Sequence, residues 1–284
     1  MKSAPLAIWL WYRGGAFRGF QRQPKGRTVQ GRLEEALAAA GVGAAPHPAG
    51  RTDRGVHARM QVVSLRTGGA SGQRPDLAER LADAIHRAAP GELGAAACRR
   101  AHPSFHAQWS ACGKEYRYRF ALGEVPQRWR PFCWLPAAHP RLSSLPPPRP
   151  ERVAELLRLA EGERDFWAFH EKSSPRKPRR LHATGLAELS PGLFEARLRG
   201  DSFGRYQVRY LLGGAVAAAC GALAVADWED ALGSAREVPG LKAPPEGLVL
   251  WSVEYPAALD PFTPQERAHP GGLPAEPPFA DPGL

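Results

Sequence analysis

Cysteine is scarce in this chain of 284 residues: Cys98, Cys112, Cys133 and Cys220 lie far apart, and no Cys-x-x-Cys pair occurs. That excludes a disulfide scaffold and a finger-type zinc site, and it fits a reducing compartment. No apolar run approaches the roughly 20 residues that a membrane-spanning helix needs. The first apolar stretch, residues 6–11, is too short for the hydrophobic region of a signal peptide, and no cleavage site follows it. A cytoplasmic protein is expected. Phosphate-cradling glycine loops of the P-loop or dinucleotide type are missing. Asp53 is followed by Arg54 and Gly55, so there is no Asp-x-Asp, and no second carboxylate stands near it in sequence. An ordinary glycosidase with two flanking acids is thereby excluded. His102 and His106 flank Pro103 and have no third ligand in view, so they read as structural histidines and not as a metal site.

What is present is enough apolar material for a sizeable core: 43% of residues are hydrophobic, and the length suits one large or two ordinary domains. The net charge is +10, most of the excess being arginine. Guanidinium forks suit phosphate and stack on bases, so a polyanion is the expected partner. A solvated surface in a composition rich everywhere in Ala, Gly, Pro and Arg accounts for the same excess.

Residues 4–13 pattern as a strand broken by Gly14-Gly15. Thr28 caps a helix whose apolar stripe is Val29, Leu33, Ala36, Leu37 and Ala40, ended by Gly41. A strand to about Arg66, a helix marked by Leu77, Leu81, Ile85 and Ala88, and a short strand near 95–99 complete a β-α-β-β-α-β order, the ferredoxin-like pattern. A second half begins near Gln108. Lys114, Tyr116, Tyr118 and Phe120 share one face of a strand, and Glu115, Arg117 and Arg119 the other. A helix around Val153–Ala160, two strands flanking Pro191-Gly192, a long helix from Val208 and a last strand at 248–255 follow. The expected fold is α/β (α+β): two ferredoxin-like halves forming an antiparallel or mixed sheet, with helices on one side and a basic face or cleft left for RNA. The boundaries fall at 1–106, 107–257 and 258–284. Residues 126–150 hold eight prolines and read as an unpacked excursion; the tail, with eight more in its last 29 residues, reads as extended or disordered.

The chemistry concentrates at residues 49–58, Ala-Gly-Arg-Thr-Asp-Arg-Gly-Val-His-Ala. Gly50 and Gly55 let a turn present Asp53 between Arg51, Thr52 and Arg54, which can bind phosphate or fix the carboxylate. An acid among cations stays ionised, as a nucleophile requires. A plain surface turn with Asp53 paired to an arginine is the bland alternative.

This segment resembles the Gly-Arg-Thr-Asp-Ala-Gly-Val-His signature of the TruA family of tRNA pseudouridine synthases. Four further segments resemble that family in order: residues 15–23, the Phe105-His106-Ala107 and Tyr116-Arg117-Tyr118 stretch, Phe203 through Val208-Arg209 to Gly213, and Ala243-Pro244 to Gly247-Leu248. The resemblance implies isomerisation of uridine to pseudouridine in the tRNA anticodon stem-loop (positions 38–40), by a homodimer without metal or cofactor. It implies Asp53 as the catalytic aspartate, Arg209 as its ion-pairing partner and Tyr116 as the ring on the target uracil, all at one cleft. Arg51, Thr52, Arg54 and His57, with Arg18 and Arg22, are the candidate substrate-binding residues; the charged run 173–180 is open between RNA contact and solvated loop. Asp53 could attack C1′, add to the base or remove a ribose proton. Arg54 stands where the family has Ala, Phe20 where it has Trp, and Gln207 and Tyr210 where it has Met and Asn, so the substrate-reading shell differs. A non-catalytic RNA-binding relative stays open. A C5-methyltransferase would need a cofactor site and a nucleophilic Cys, neither of which is visible.

Overall fold

The computed structural model describes residues 4–67, 74–171, 176–233 and 241–280. Two compact units emerge: Met1–Cys112 together with Leu250–Phe279, and Gly113–Val249.

The first unit follows the expected order. It comprises β1 (Leu6–Tyr12), α1 (Val29–Ala39), a two-residue β2 (His47–Pro48), β3 (His57–Leu65), α2 (Leu77–Ala88) and β4 (Leu93–Arg100). Thr28 caps α1, its hydroxyl accepting from the Gly31 amide at 3.2 Å. The strands run β4-β1-β3, antiparallel, with β9 (Leu248–Glu254) beyond β3. All seven residues of β1 are buried. Much of that cover comes from the tail. Phe262 packs edge-on to Trp9 with ring centres 5.6 Å apart, and Phe279 does the same to Trp11 at 5.8 Å. A short helix, α6 (Pro264–Ala268), carries a Thr263/Glu266 capping box. Its Arg267 donates to the Val253 carbonyl at 3.1 Å and grips Asp260 with two further bonds. The expectation of an extended or disordered tail is therefore corrected. Prolines rule out long regular elements, but two aromatic anchors and one well-bonded arginine are enough to seat an irregular chain.

The second unit contains β5 (Gly113–Ala121), α3 (Pro150–Leu159), β6 (Gly162–Arg164), β7 (Arg179–Ser190), β8 (Leu193–Gly200), α4 (Gln207–Ala219) and α5 (Val225–Gly233). Its strands run β5-β8-β7-β6, antiparallel, with Tyr116 opposite Leu198 and Arg119 opposite Glu195. Here the expected unpacked excursion is corrected too. Residues 127–132 form a 3₁₀ turn that buries Trp129 against Ala121, Val125, Cys133 and Leu193. Beyond it, the Trp134 carbonyl accepts from the Ala121 amide at 2.7 Å, and the Trp134 amide donates to the Arg119 carbonyl at 3.0 Å. The excursion thus extends the hydrogen bonding of β5.

Its cover explains a charged pair in the interior. Arg119 and Glu195 have fully buried side chains, with Arg119 Nε 3.1 Å from Glu195 Oε2 and its guanidinium 4.9 Å from the Trp129 ring centre. Arg117 and Arg197 reach the other carboxylate oxygen at 3.2 and 2.9 Å. The Glu115, Arg117 and Arg119 face of β5 is closed at this point by indole. One carboxylate serves three guanidinium groups, and removing it takes the counter-charge from the fully buried Arg119. Glu195→Ala should therefore cost about 3–5 kcal/mol, read as a lower guanidinium midpoint at unchanged slope.

Candidate active site

The Asp53 loop is held from below at every turn. Phe20 donates its amide to the Thr52 carbonyl at 3.0 Å. The Thr52 hydroxyl lies 2.7 Å from that of Tyr12, at the end of β1. Gln61, buried in β3, donates to the Gly50 carbonyl at 2.6 Å and reaches Tyr12 Oη at 3.4 Å. Burial, with a smaller contribution from the Asp53 charge, pushes the Tyr12 phenol up to about 12 against the lowering effect of its bonds to Thr52 and Gln61; it stays a neutral brace. The Gly14 amide donates to His57 Nδ1 at 3.0 Å, which assigns the remaining ring proton to Nε2 in the neutral imidazole. A β-carbon on Gly14 would lie 2.1 Å from the Val56 carbonyl oxygen, so only glycine lets the two loops meet.

The candidate residues of this half separate by depth. Arg51, Arg54 and Arg18 are exposed and Asp53 is half-buried beside them, whereas Thr52 and His57 are buried under the loop with their polar atoms turned to Tyr12 and Gly14. Arg22 stands farther along the 14–28 segment and pairs with Glu34 at 2.8 Å on the surface.

In the second unit, Tyr116 lies on β5 with its ring edge-on to Phe203, centres 5.1 Å apart. Two residues back on the same face, Lys114 is depressed to about 8 by burial and then by the Lys177 charge. Arg209, in the first turn of α4, is buried and donates Nε to the Ala243 carbonyl at 2.7 Å, while the Ala243 amide donates to the Arg209 carbonyl at 3.0 Å. Its guanidinium sits 5.0 Å from the Tyr206 ring, which also takes Arg205 at 4.8 Å and Lys242 at 4.1 Å. A β-carbon on Gly213 would come within 1.9 Å of the Leu241 carbonyl oxygen, so α4 packs directly on residues 241–243. Tyr118 closes the group with a 2.7 Å bond to the Pro244 carbonyl. Of the charged run, Arg176 pairs with Asp165, Arg180 with Glu163 at 3.6 Å, and Arg179 is buried beside His170; residues 173–175 lie outside the described residues. Among the described residues no cluster of three or more His, Cys, Asp or Glu could hold a metal ion.

The motif segments are thus mutual packing partners. Residues 15–23 and the Asp53 loop brace one another in the first unit. The Tyr-Arg-Tyr strand, the Arg209 helix and the Ala243–Gly247 turn lock together in the second. The sequence reading missed Tyr12, Gln61, Tyr206 and Lys242. Gln61 carried a signal, being a polar residue between the apolar Met60 and Val62, and Tyr12 stands two residues before the glycine break.

The family model described as tRNA pseudouridine synthase matches residues 156–256. The tRNA pseudouridine synthase A of Bordetella parapertussis is 36% identical over 260 residues, covering 89% of this chain and 91% of that protein. That of Solibacter usitatus is 34% identical over 259 residues, covering 88% and 99%. That of Neisseria meningitidis is 36% identical over 270 residues, covering 91% and 95%. A solved Cbf5-Nop10-Gar1 complex aligns over 74% of this chain and 44% of that chain, at 12% identity and a TM-score of 0.35. In class this is a pseudouridine synthase. The chain belongs to the tRNA pseudouridine synthase A family.

Two outcomes follow from the geometry. Gly14→Ala should displace the Asp53 loop by the better part of an ångström and lower kcat by about 100-fold, with tRNA binding measured in parallel and little changed. Lys114 binds its proton less tightly folded than unfolded, so from about pH 8 to about 10.4 the unfolded state holds more protons and stability rises with pH. Denaturation of wild type and Lys114→Met across that range should show the wild type gaining relative to the variant.

Proposed function

We propose that this chain converts uridine to pseudouridine in the anticodon stem-loop of tRNA, with Asp53 as the catalytic aspartate, and that it works as a cytoplasmic homodimer without metal or cofactor. The observation that carries the catalytic assignment is the bracing of the Asp53 loop. Five separate bonds and a glycine-only approach fix a backbone whose one acidic side chain is Asp53. Such an investment suits a group that must meet a reacting carbon in one geometry.

The reaction breaks the N1–C1′ bond, turns the freed uracil and joins C5 to C1′, after which the C5 proton leaves. No atom is gained or lost, so the protein's tasks are to hold, to turn and to move protons. Asp53 acts at C1′, on the base or on the ribose proton. By resemblance, Arg209 supplies the ion pair that keeps Asp53 ionised and aligned, its Nε and ring contact fixing it in rotation. Tyr116 supplies the ring that packs on the uracil, and its hydroxyl, through water, receives the C5 proton. Arg18, Arg51 and Arg54 offer exposed guanidinium groups to phosphate. Thr52 and His57 support the loop and serve the substrate through its shape. The target uridine must leave its stack, which costs roughly a few kcal/mol.

Tritium release from [5-³H]uridine-labelled tRNA transcripts, with no added cofactor, tests this reading. Wild type should release the label stoichiometrically with product. Asp53→Asn should bind tRNA within a few-fold of wild type and release none. Full release by Asp53→Asn would overturn the catalytic assignment. Tyr116→Phe should slow release by about 100-fold or more, the range of a lost proton-transfer group.

A further inference from the structure

Among the described residues the two exposed large hydrophobic side chains are Trp109, 80% exposed, and Leu159, 42%. Trp109 is held in place in spite of its exposure. Its ring lies parallel to that of His106, centres 4.2 Å apart and planes 14° from each other, and His106 is in turn 5.3 Å from His47. His106 Nδ1 accepts from the amides of Gln108 and Trp109 at 3.2 and 3.4 Å. The Ser110 amide donates to the His106 carbonyl at 2.9 Å, and the His106 amide to the Ser110 hydroxyl at 3.0 Å. Beneath the turn, Phe105 and Ala107 are buried. The Ala107 amide donates to the Ser64 hydroxyl at 3.1 Å, and the Tyr255 hydroxyl to the Ala107 carbonyl at 2.8 Å. The outcome is an indole clamped on one face and left to water on the other.

Its surroundings are polar, with one arginine close by. His102, Ser104 and Gln108 are exposed beside it. Arg66 bonds the Pro103 carbonyl at 3.3 Å, close enough for its charge to help hold His106 below the usual imidazole range, after burial and His47. A protein partner would want a contiguous apolar patch around such a ring. A lone aromatic face beside an arginine and hydrogen-bonding groups suits a nucleobase instead, since every base offers a π-face and brings a phosphate with it. In a duplex those faces are occupied by neighbouring bases, which leaves unpaired nucleotides as the ligand.

We infer that the outer face of Trp109 is a stacking platform for an unpaired nucleobase of the RNA substrate, a contact separate from the Asp53 loop. The inference rests on the tRNA reading above. It extends that reading by adding a site that would register the RNA away from the reacting uridine.

The test uses the full-length protein as wild type, Trp109→Ala and Trp109→Phe, with one tRNA transcript. Measured are Kd over a salt series, tritium-release kcat and KM, and mass in solution by light scattering. Trp109→Ala should raise Kd and KM together by roughly 5- to 100-fold, the span of base–aromatic stacking, with kcat far less affected. The slope of log Kd against log salt should stay unchanged, because no phosphate contact is lost. Trp109→Phe should restore most of the affinity. Binding by Trp109→Ala within twofold of an active wild type would overturn the platform alone, as would a flattened salt slope. A fall in solution mass would assign the indole to a second copy of the chain and overturn it equally. A wild type that neither binds tRNA nor releases label would overturn the platform and the underlying reading together.

Discussion

At Gly14 two backbones approach so closely that the Val56 carbonyl oxygen occupies the place of a side chain. The position of the Asp53 loop depends on that contact. Because the 14–20 segment lies against residues 52–56, its amides can reach His57 Nδ1 and the Thr52 carbonyl. Because those bonds form, Asp53 projects from a backbone with little freedom left. An exposed loop is usually a weak point, since loops hold few buried bonds of their own. Here a second loop, the end of β1 and a buried glutamine supply what the loop lacks.

The second unit solves the same problem with a helix. Arg209 is in the first turn of α4, and Gly213, one turn on, lets the helix rest directly on residues 241–243. The reciprocal bonds between Arg209 and Ala243 then fix the guanidinium where a long, flexible side chain would otherwise wander. Tyr206 takes part by holding a left-handed backbone conformation (φ 64°) at the helix start, an arrangement that costs about 1–3 kcal/mol in a non-glycine residue. That strain buys a ring under three cations. Both units therefore spend backbone constraint on placing one charged group.

Much of this was legible in the residues. The Thr28 cap, the apolar stripe of α1, the alternation of β5 and the break at Pro191-Gly192 each state a local preference that the tertiary structure keeps. The Asp53 loop was legible because its glycines and cations are contiguous. What escaped the reading was non-local. Thr52 and His57 stand beside Asp53 in sequence, and only the fold shows that the Thr52 hydroxyl meets Tyr12 and His57 Nδ1 meets the Gly14 amide. Arg119 sits on a charged strand face, and nothing adjacent announces that Glu195 and Trp129 will bury it. The two proline-rich segments misled for one reason: proline density reports the absence of regular hydrogen bonding, not the absence of packing. Trp129, Trp134, Phe262 and Phe279 were the counter-signal, large apolar rings that a solvated linker has no use for. The helix α5 carried Val225, Trp228, Ala231 and Leu232 at helical spacing and went unread behind the stronger signal of α4.

The tail has a consequence for how the molecule is made. The bulk of the second unit, Gly113–Val249, is one stretch, whereas the first joins Met1–Cys112 to Leu250–Phe279. On a ribosome adding about 5–20 residues per second, Leu250 appears roughly 7–30 s after Cys112. Throughout that interval β1, apolar along its whole length, lacks Phe262 and Phe279 over its tryptophans. The part made first is thus covered late: its first strand stays bare until Phe262 and Phe279 have emerged.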